Sequence, residues 1–112
     1  MGLERNVVTA GTGPRPQFGQ VVTVRCTGYF TDGRRKFWST GDPGQGPFEF
    51  ILGAGHVLRG WDEGVAAMQL GERAELVVTG EHGFGARGCE AWGIGPGAAL
   101  TFDLQLVQIA NA

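Results

Sequence analysis

One stretch of the sequence has helical spacing, whereas most of the other apolar residues alternate with polar ones. Residues 57–64 read Val-Leu-Arg-Gly-Trp-Asp-Glu-Gly. Val57, Trp61 and Val65 stand four positions apart and Met68 follows three later, so one helical face would carry all four. Elsewhere apolar residues recur at every second position, which is the spacing of strands. The pattern predicts one short helix packed against a sheet.

The alternating runs predict five or six strands. They lie at residues 6–9, 21–27, 37–40, 48–52, 74–79 and 100–106, and the first of them is expected at a sheet edge. Glycine makes up 21 of 112 residues, against an average of about 7 per cent, which favours many tight turns. Gly71 is expected to end the helix in left-handed geometry. The fold class is therefore α+β, with a five- to six-stranded antiparallel sheet around one short α-helix.

Length and charge bound the function classes. A chain of 112 residues is predicted to form a single domain over residues 1–112. The net charge of −2 and the lack of a long Lys/Arg run argue against a nucleic-acid partner. No apolar stretch is long enough to span a bilayer, and no secretory leader is evident. We expect a cytoplasmic protein without a membrane or nucleic-acid partner.

No arrangement of residues suggests acid–base, nucleotide or metal chemistry. Asp62 and Glu63 are adjacent on the predicted helix, so their side chains point about 100° apart, and they are interpreted as favourable charges at the helix N-terminus. Residues 83–88 match GxGxxG, but the Gly- and Pro-containing segment after them cannot open a helix. His56 and His82 lack a carboxylate or cysteine at ligand spacing. We predict no metal and no cofactor.

The aromatic residues form the remaining candidate site. Phe50 is interpreted as a core residue, and the possibility that all the aromatic residues are core stays open. Several lie at strand ends, at the start of the helix or within the glycine-rich loop 80–98, from which side chains can line a cavity. The residues in question are Phe37, Trp38, Phe48, Trp61, Phe84, Trp92 and Phe102.

Segments through most of the chain resemble one known family. They include Gly19-Gln-Val-Val-Thr-Val, Pro47-Phe-Glu-Phe, the stretch 57–65, Met68-Gln-Leu-Gly-Glu-Arg-Ala and Leu100-Thr-Phe-Asp-Leu. On these segments the sequence resembles the small FKBP-type peptidyl-prolyl isomerases, the immunophilins that bind tacrolimus and rapamycin. The runs Lys36-Phe-Trp-Ser-Thr and Ala91-Trp-Gly-Ile are more similar to the plant and algal form than to the animal form.

The resemblance implies a twisted sheet around one helix, with a pocket between them whose floor is Trp61. It implies isomerase activity on Xaa-Pro bonds, with proline-containing peptides or proteins, macrolides and a ligand-dependent protein partner as binding partners of a monomer. The residues that it implies for catalysis are Phe37, Trp61, Phe84 and Phe102. Those that it implies for substrate or ligand contact are Cys26, Trp38, Phe48, His56, Val57, Leu58, Trp92 and Ile94.

The sequence departs from the family pattern at the long loop. Phe84 stands where the family usually has a tyrosine, whose hydroxyl usually bonds the bound carbonyl, so reduced activity is implied. Cys89-Glu90 replaces the Phe-Pro that is usual in the plant-type loop. A weak or inactive binding module, acting as a ligand receptor or a regulator of a partner protein, is the alternative. A third hypothesis is redox control through Cys26 and Cys89.

Overall fold

The computed structural model describes residues 2–85, 87–89 and 93–111. Within these ranges it contains six strands, one α-helix and one short 3₁₀ helix at Gly80–His82, which confirms the predicted α+β class. None of the described helices is both long and apolar enough to cross a membrane. The elements in chain order are β1 (Leu3–Thr9), β2 (Val21–Phe30), β3 (Lys36–Ser39), β4 (Phe48–Ile51), α1 (Arg59–Ala66), β5 (Arg73–Val78) and β6 (Leu100–Ala110).

The strands form one antiparallel sheet in the order β1-β5-β6-β2-β3. Strands β2 and β6 pair along their shared length, from Val21 opposite Ala110 to Phe30 opposite Leu100. Strand β4 also pairs with β2, on its first half, whereas β3 pairs with its second half. Strands β3 and β4 therefore share one outer edge of the sheet, and β1 forms the other edge, as predicted.

The core lies between the inner face of the sheet and α1. Alternate residues of β2, β5 and β6 are buried on this face, as the period of two predicts, and Trp61 and Val65 face them from the helix. The helix lies close to β5 because Gly60 and Gly64 carry no side chain. The buried strand residues are Val22, Val24, Cys26, Ala74, Leu76, Val78, Leu100, Phe102, Leu104 and Leu106.

Gly60→Ala is expected to lower the free energy of unfolding by about 1–3 kcal/mol. A Cβ atom at this position would overlap the side chain of Val78 and lie 2.9 Å from the carbonyl oxygen of His82. Alanine has the higher helix propensity, so the loss would come from packing alone. Urea denaturation measures the change. Gly46→Ala is the control, since a Cβ atom at that position would have no neighbour within 4 Å, and equal stability of the two variants would contradict the prediction.

The helix is shorter than the spacing of its apolar residues indicated. It begins at Arg59, after Val57 and the extended residue Leu58, and ends at Ala66. Met68 is fully buried but lies in the tightened turn that follows, where its N–H donates to the carbonyl of Val65. The expectation that Gly71 ends the helix is wrong. Gly71 has φ +90 in the turn before β5, where its N–H donates to the carbonyl of Leu106 at 2.9 Å.

Candidate functional site

An apolar cavity of about 340 Å³ opens between the start of α1, the strands β3 and β4, and the loop after β5. Its wall contains one titratable group among the described residues, the imidazole of His56, and is otherwise apolar. Cavities of this size and composition are typical of small-molecule sites. The lining residues are Trp38, Phe48, Gly55, His56, Val57, Leu58, Trp61, Phe84 and Phe102.

The indole of Trp61 forms the base of this cavity and is held by neighbouring rings. It is 5 % exposed. Its ring centroid lies 5.3 Å from that of Phe102 and 5.8 Å from that of Phe48, at interplanar angles of 88° and 81°. Edge-to-face contacts of this kind are favourable, so the two rings hold the indole in its orientation. The buried Nε1 of Trp61 has no hydrogen-bond partner in the described part of the chain, so its N–H is an unpaired donor.

Asp62 positions the rim of the cavity. Its carboxylate accepts hydrogen bonds from the backbone N–H groups of Gly53, at 2.9 Å, and Gly55, at 3.3 Å. Both glycines have positive φ, a conformation that other residues rarely adopt. The turn that they form carries His56 and Val57 to the cavity. Sequence reasoning missed both Gly55 and this role of Asp62; the signal was a first-turn acid shortly after a Gly-Ala-Gly turn.

Leu58 lies where the extended chain enters α1. Its carbonyl accepts hydrogen bonds from the N–H groups of Trp61, at 2.9 Å, and Asp62, at 3.2 Å. Its own N–H has no acceptor among the described residues, as is usual for the first amides of a helix. A lining residue with an unpaired amide donor offers a hydrogen bond to a carbonyl group in the cavity.

The loop that carries Phe84 is tied to α1 and closed by backbone hydrogen bonds. Nε2 of His82 lies 3.2 Å from a carboxylate oxygen of Glu63. The N–H of Gly85 donates to the carbonyl of Gly80 at 3.0 Å. The Arg59 guanidinium beside Glu63 holds the pKa of that carboxyl below its usual range, so Glu63 stays ionised at neutral pH. Glu63 therefore acts as a fixed acceptor for its neighbours.

Three residues predicted for the site lie behind its wall. Cys26 and Ile94 are each 3 % exposed and belong to the core. The ring of Phe37 packs edge-on against Phe102, with centroids 5.9 Å apart. None of these three is among the lining residues; Cys26 and Ile94 belong to the core and Phe37 packs against it. Trp92, the other residue predicted for ligand contact, lies outside the described residues.

Alkylation at pH 8 is expected to modify Cys89 at least about tenfold faster than Cys26. Both thiols are free. Burial, with a smaller effect of Asp103, raises the pKa of the Cys26 thiol well above its ordinary value, so its reactive thiolate is scarce. Peptide mass spectrometry after iodoacetamide treatment measures both rates, with the denatured protein as control. Equal native rates would contradict this account.

Comparison with known proteins agrees with this geometry. The family model described as FKBP-type peptidyl-prolyl cis-trans isomerase matches residues 13–107. The chain belongs to this family. Membership confirms the predicted resemblance and the predicted enzyme class.

Individual relatives of this isomerase family cover nearly the whole chain. Peptidyl-prolyl cis-trans isomerase FKBP12 of Vicia faba is 52 % identical over 110 residues, covering 96 % of this chain and 98 % of its own. The protein of the same name from Arabidopsis thaliana is 49 % identical over 111 residues, with 97 % and 99 % covered. FK506-binding protein 1 of Gibberella zeae is 41 % identical over 111 residues, with the same coverage. These two plant proteins are thus more similar to the chain than this fungal one is.

Proposed function

We propose that the chain, acting as a single domain over residues 1–112, accelerates cis–trans isomerisation of Xaa-Pro peptide bonds in the aromatic cavity. The observation that carries this proposal is the largely apolar wall around the Trp61 indole, in a member of this isomerase family. The proline ring would lie on that indole, between Phe48, Val57 and Phe102.

The chemistry of prolyl isomerisation suits such a cavity. Rotation about an amide bond has a barrier of about 20 kcal/mol, because the planar amide is stabilised by resonance and carries a large dipole. Twisting the bond removes much of both. An apolar cavity therefore disfavours the dipolar planar form and fits the twisted form better, which lowers the barrier without an acid, a base or a nucleophile.

The remaining residues would position the substrate. The N–H of Leu58 would donate to a substrate carbonyl, and Trp38, His56 and Phe84 would contact the residues next to the proline. Phe37 would act from behind by fixing the ring of Phe102, as the edge-on contact at 5.9 Å supports.

We propose in addition that macrolides of the tacrolimus and rapamycin type bind in the same cavity. Its volume of about 340 Å³ suits the core of such a ligand. The Gibberella zeae relative is named FK506-binding protein 1, which supports the same ligand class here.

The test is NMR exchange spectroscopy on a short Leu-Pro peptide with substoichiometric protein. Cis–trans exchange should accelerate, and one equivalent of rapamycin per protein should suppress the acceleration. No acceleration at high protein concentration would contradict the isomerase proposal, and acceleration that rapamycin leaves unchanged would contradict macrolide binding.

A binding module with weak catalysis is the second candidate, because Phe84 offers no hydroxyl to a bound carbonyl. Phe84→Tyr is expected to raise kcat/KM about 3- to 10-fold, the effect of one added hydrogen bond. Phe30→Tyr is the matched control, since Phe30 is not a lining residue. If Phe84→Tyr leaves a weak rate unchanged, the missing hydroxyl is not what limits catalysis.

A further inference from the structure

A second groove runs along the outer edge of β4. It has a volume of about 390 Å³ and shares Phe48, His56 and Val57 with the aromatic cavity. A ligand that extends past the ring of Phe48 would pass from one space into the other. The residues that line the groove are Val21, Phe48, Glu49, Phe50, Ile51, His56 and Val57.

The backbone of β4 is open on this side. The N–H of Leu52 donates to the carbonyl of Gln20 at 2.9 Å. The residues of β4 whose backbone groups form hydrogen bonds with β2 are therefore those an even number of positions before Leu52. Antiparallel pairing alternates, which turns the backbone groups of Glu49 and Ile51 away from β2. Among the described residues, one backbone hydrogen bond reaches these outward-facing groups. The N–H of Ala54 donates to the carbonyl of Ile51, at the long distance of 3.4 Å. The edge can therefore accept another strand.

Exposed apolar side chains concentrate at the same edge. Phe48 and Ile51 are each 38 % exposed, and Phe18, which packs over Gly53 just beyond β4, is 70 % exposed. These are three of the six exposed large apolar side chains in the described ranges. Such concentration on a small protein is typical of a contact surface.

One unpaired charge lies in this apolar setting. Glu49 is the carboxylate among the lining residues, and it forms no ion pair with another described residue. Most of the other described carboxylates do form an ion pair, for example Glu72 with Arg5 and Glu75 with Arg34. A free carboxylate next to an open strand edge favours a ligand with a basic side chain.

We propose that this groove binds the peptide segment next to the Xaa-Pro bond of the substrate, as an added strand on β4. An apolar side chain of the segment packs against Ile51, and a basic one lies opposite Glu49. The inference rests on the proposed function, because the aromatic cavity must hold the proline for the segment to reach β4. Main-chain bonding to a sheet edge gives affinity for any extended chain, and the side-chain contacts give selectivity.

The geometry limits how far this segment lies from the proline. An extended chain advances about 3.3 Å per residue, so a segment that lies along the four residues of β4 spans about 13 Å, beginning where Phe48 borders the cavity. The selective residues are therefore within about four to six positions of the proline.

The first experiment compares kcat/KM for a four-residue Leu-Pro peptide with that for peptides extended by five residues containing Ile and Lys. One set is extended before the proline and one after it. We expect one of the two extensions to raise kcat/KM about tenfold, through apolar burial and strand bonding. N-methylation of alternate amides of that extension should remove the gain in one register and spare it in the other, because only every second N–H faces β4.

The second experiment measures the ratio of kcat/KM for the extended and short peptides in variants of the full chain. Ile51→Lys should abolish the gain in kcat/KM. Glu49→Lys should reduce the gain about threefold for the extension that contains Lys, and should raise it for an extension in which Glu replaces that Lys. Val107→Lys matches the first variant, since Val107 is a strand residue of similar exposure at 36 %. Glu4→Lys matches the second in charge and lies on β1, at the opposite edge.

The outcomes separate the two proposals. If the short peptide is not accelerated at all, the proposed isomerase function fails. If the short peptide is accelerated but neither extension adds to the rate, the groove does not bind substrate. If Val107→Lys or Glu4→Lys lowers the ratio as much as the β4 variants do, the gain comes from overall charge or apolarity, and the inference is overturned.

Discussion

Trp61→Ala is expected to lower the free energy of unfolding by about 3–5 kcal/mol and to remove measurable isomerase activity. The indole is 5 % exposed and contacts the rings of Phe48 and Phe102 edge-on, so its removal leaves a void that these rings cannot fill. The base on which the proline would lie is lost in the same step. Urea denaturation followed by far-ultraviolet circular dichroism and NMR exchange on the Leu-Pro peptide measure the two effects.

Trp61→Phe separates packing from the indole group itself. The buried Nε1 has no partner among the described residues, so phenylalanine removes no hydrogen bond and keeps most of the apolar contact. We expect a loss of less than about 2 kcal/mol and retention of part of the activity. If the Trp61→Ala protein is folded at the assay temperature and as active as Trp61→Phe, the indole is not the base of a working site.

Arg5→Ala is expected to lower the free energy of unfolding by about 2–4 kcal/mol. Its guanidinium lies 2.6 Å from the carboxylate of Glu72, whose side chain is only 4 % exposed. Removing the cation leaves a carboxylate buried without its charge partner. This loss of stability is smaller than that expected for a fully buried ion pair, because the Arg5 side chain is 30 % exposed and water reaches it. Urea denaturation measures the change.

Replacing both partners distinguishes an unpaired charge from lost packing. Arg5→Met combined with Glu72→Leu should be more stable than Arg5→Ala, because apolar side chains of similar size leave no buried charge. Arg34→Ala is the control, since the Arg34–Glu75 pair is exposed and should contribute under about 1 kcal/mol. A double variant that is less stable than Arg5→Ala would show that the ion pair itself stabilises the link between β1 and the turn before β5.

The strands could be predicted because alternation is a local property. The side chains of Val22, Val24 and Cys26 point to one face whatever surrounds them, and burial of that face follows from the apolar pattern. The helix ends could not be predicted in this way. Val57 and Met68 have helical spacing with Trp61, but Val57 lies in the bend before Leu58 and Met68 in the turn that follows α1.

The cavity was predictable in kind but not in detail. Aromatic residues at the ends of helices and strands indicated a cavity. The resemblance named most of the residues that line it, Trp61 and Phe84 among them. The positions of Phe37 and Ile94 behind the wall depend on how the Phe102 ring and the core pack, which involves residues far apart in the chain. The bonds from Gly53 and Gly55 to Asp62 likewise form only once the turn folds back on the helix.

The amino-acid sequence by itself determined the α+β class, the single helix, the apolar faces of the strands and the family, because each of these depends on local periods or on contiguous motifs. The tertiary structure alone decided which of the predicted residues do not line the cavity, that Asp62 holds its rim, and that the edge of β4 opens beside it. The physical reason is that cavities and open edges are properties of the space between elements. Their walls come from segments that meet only when the sheet closes over α1.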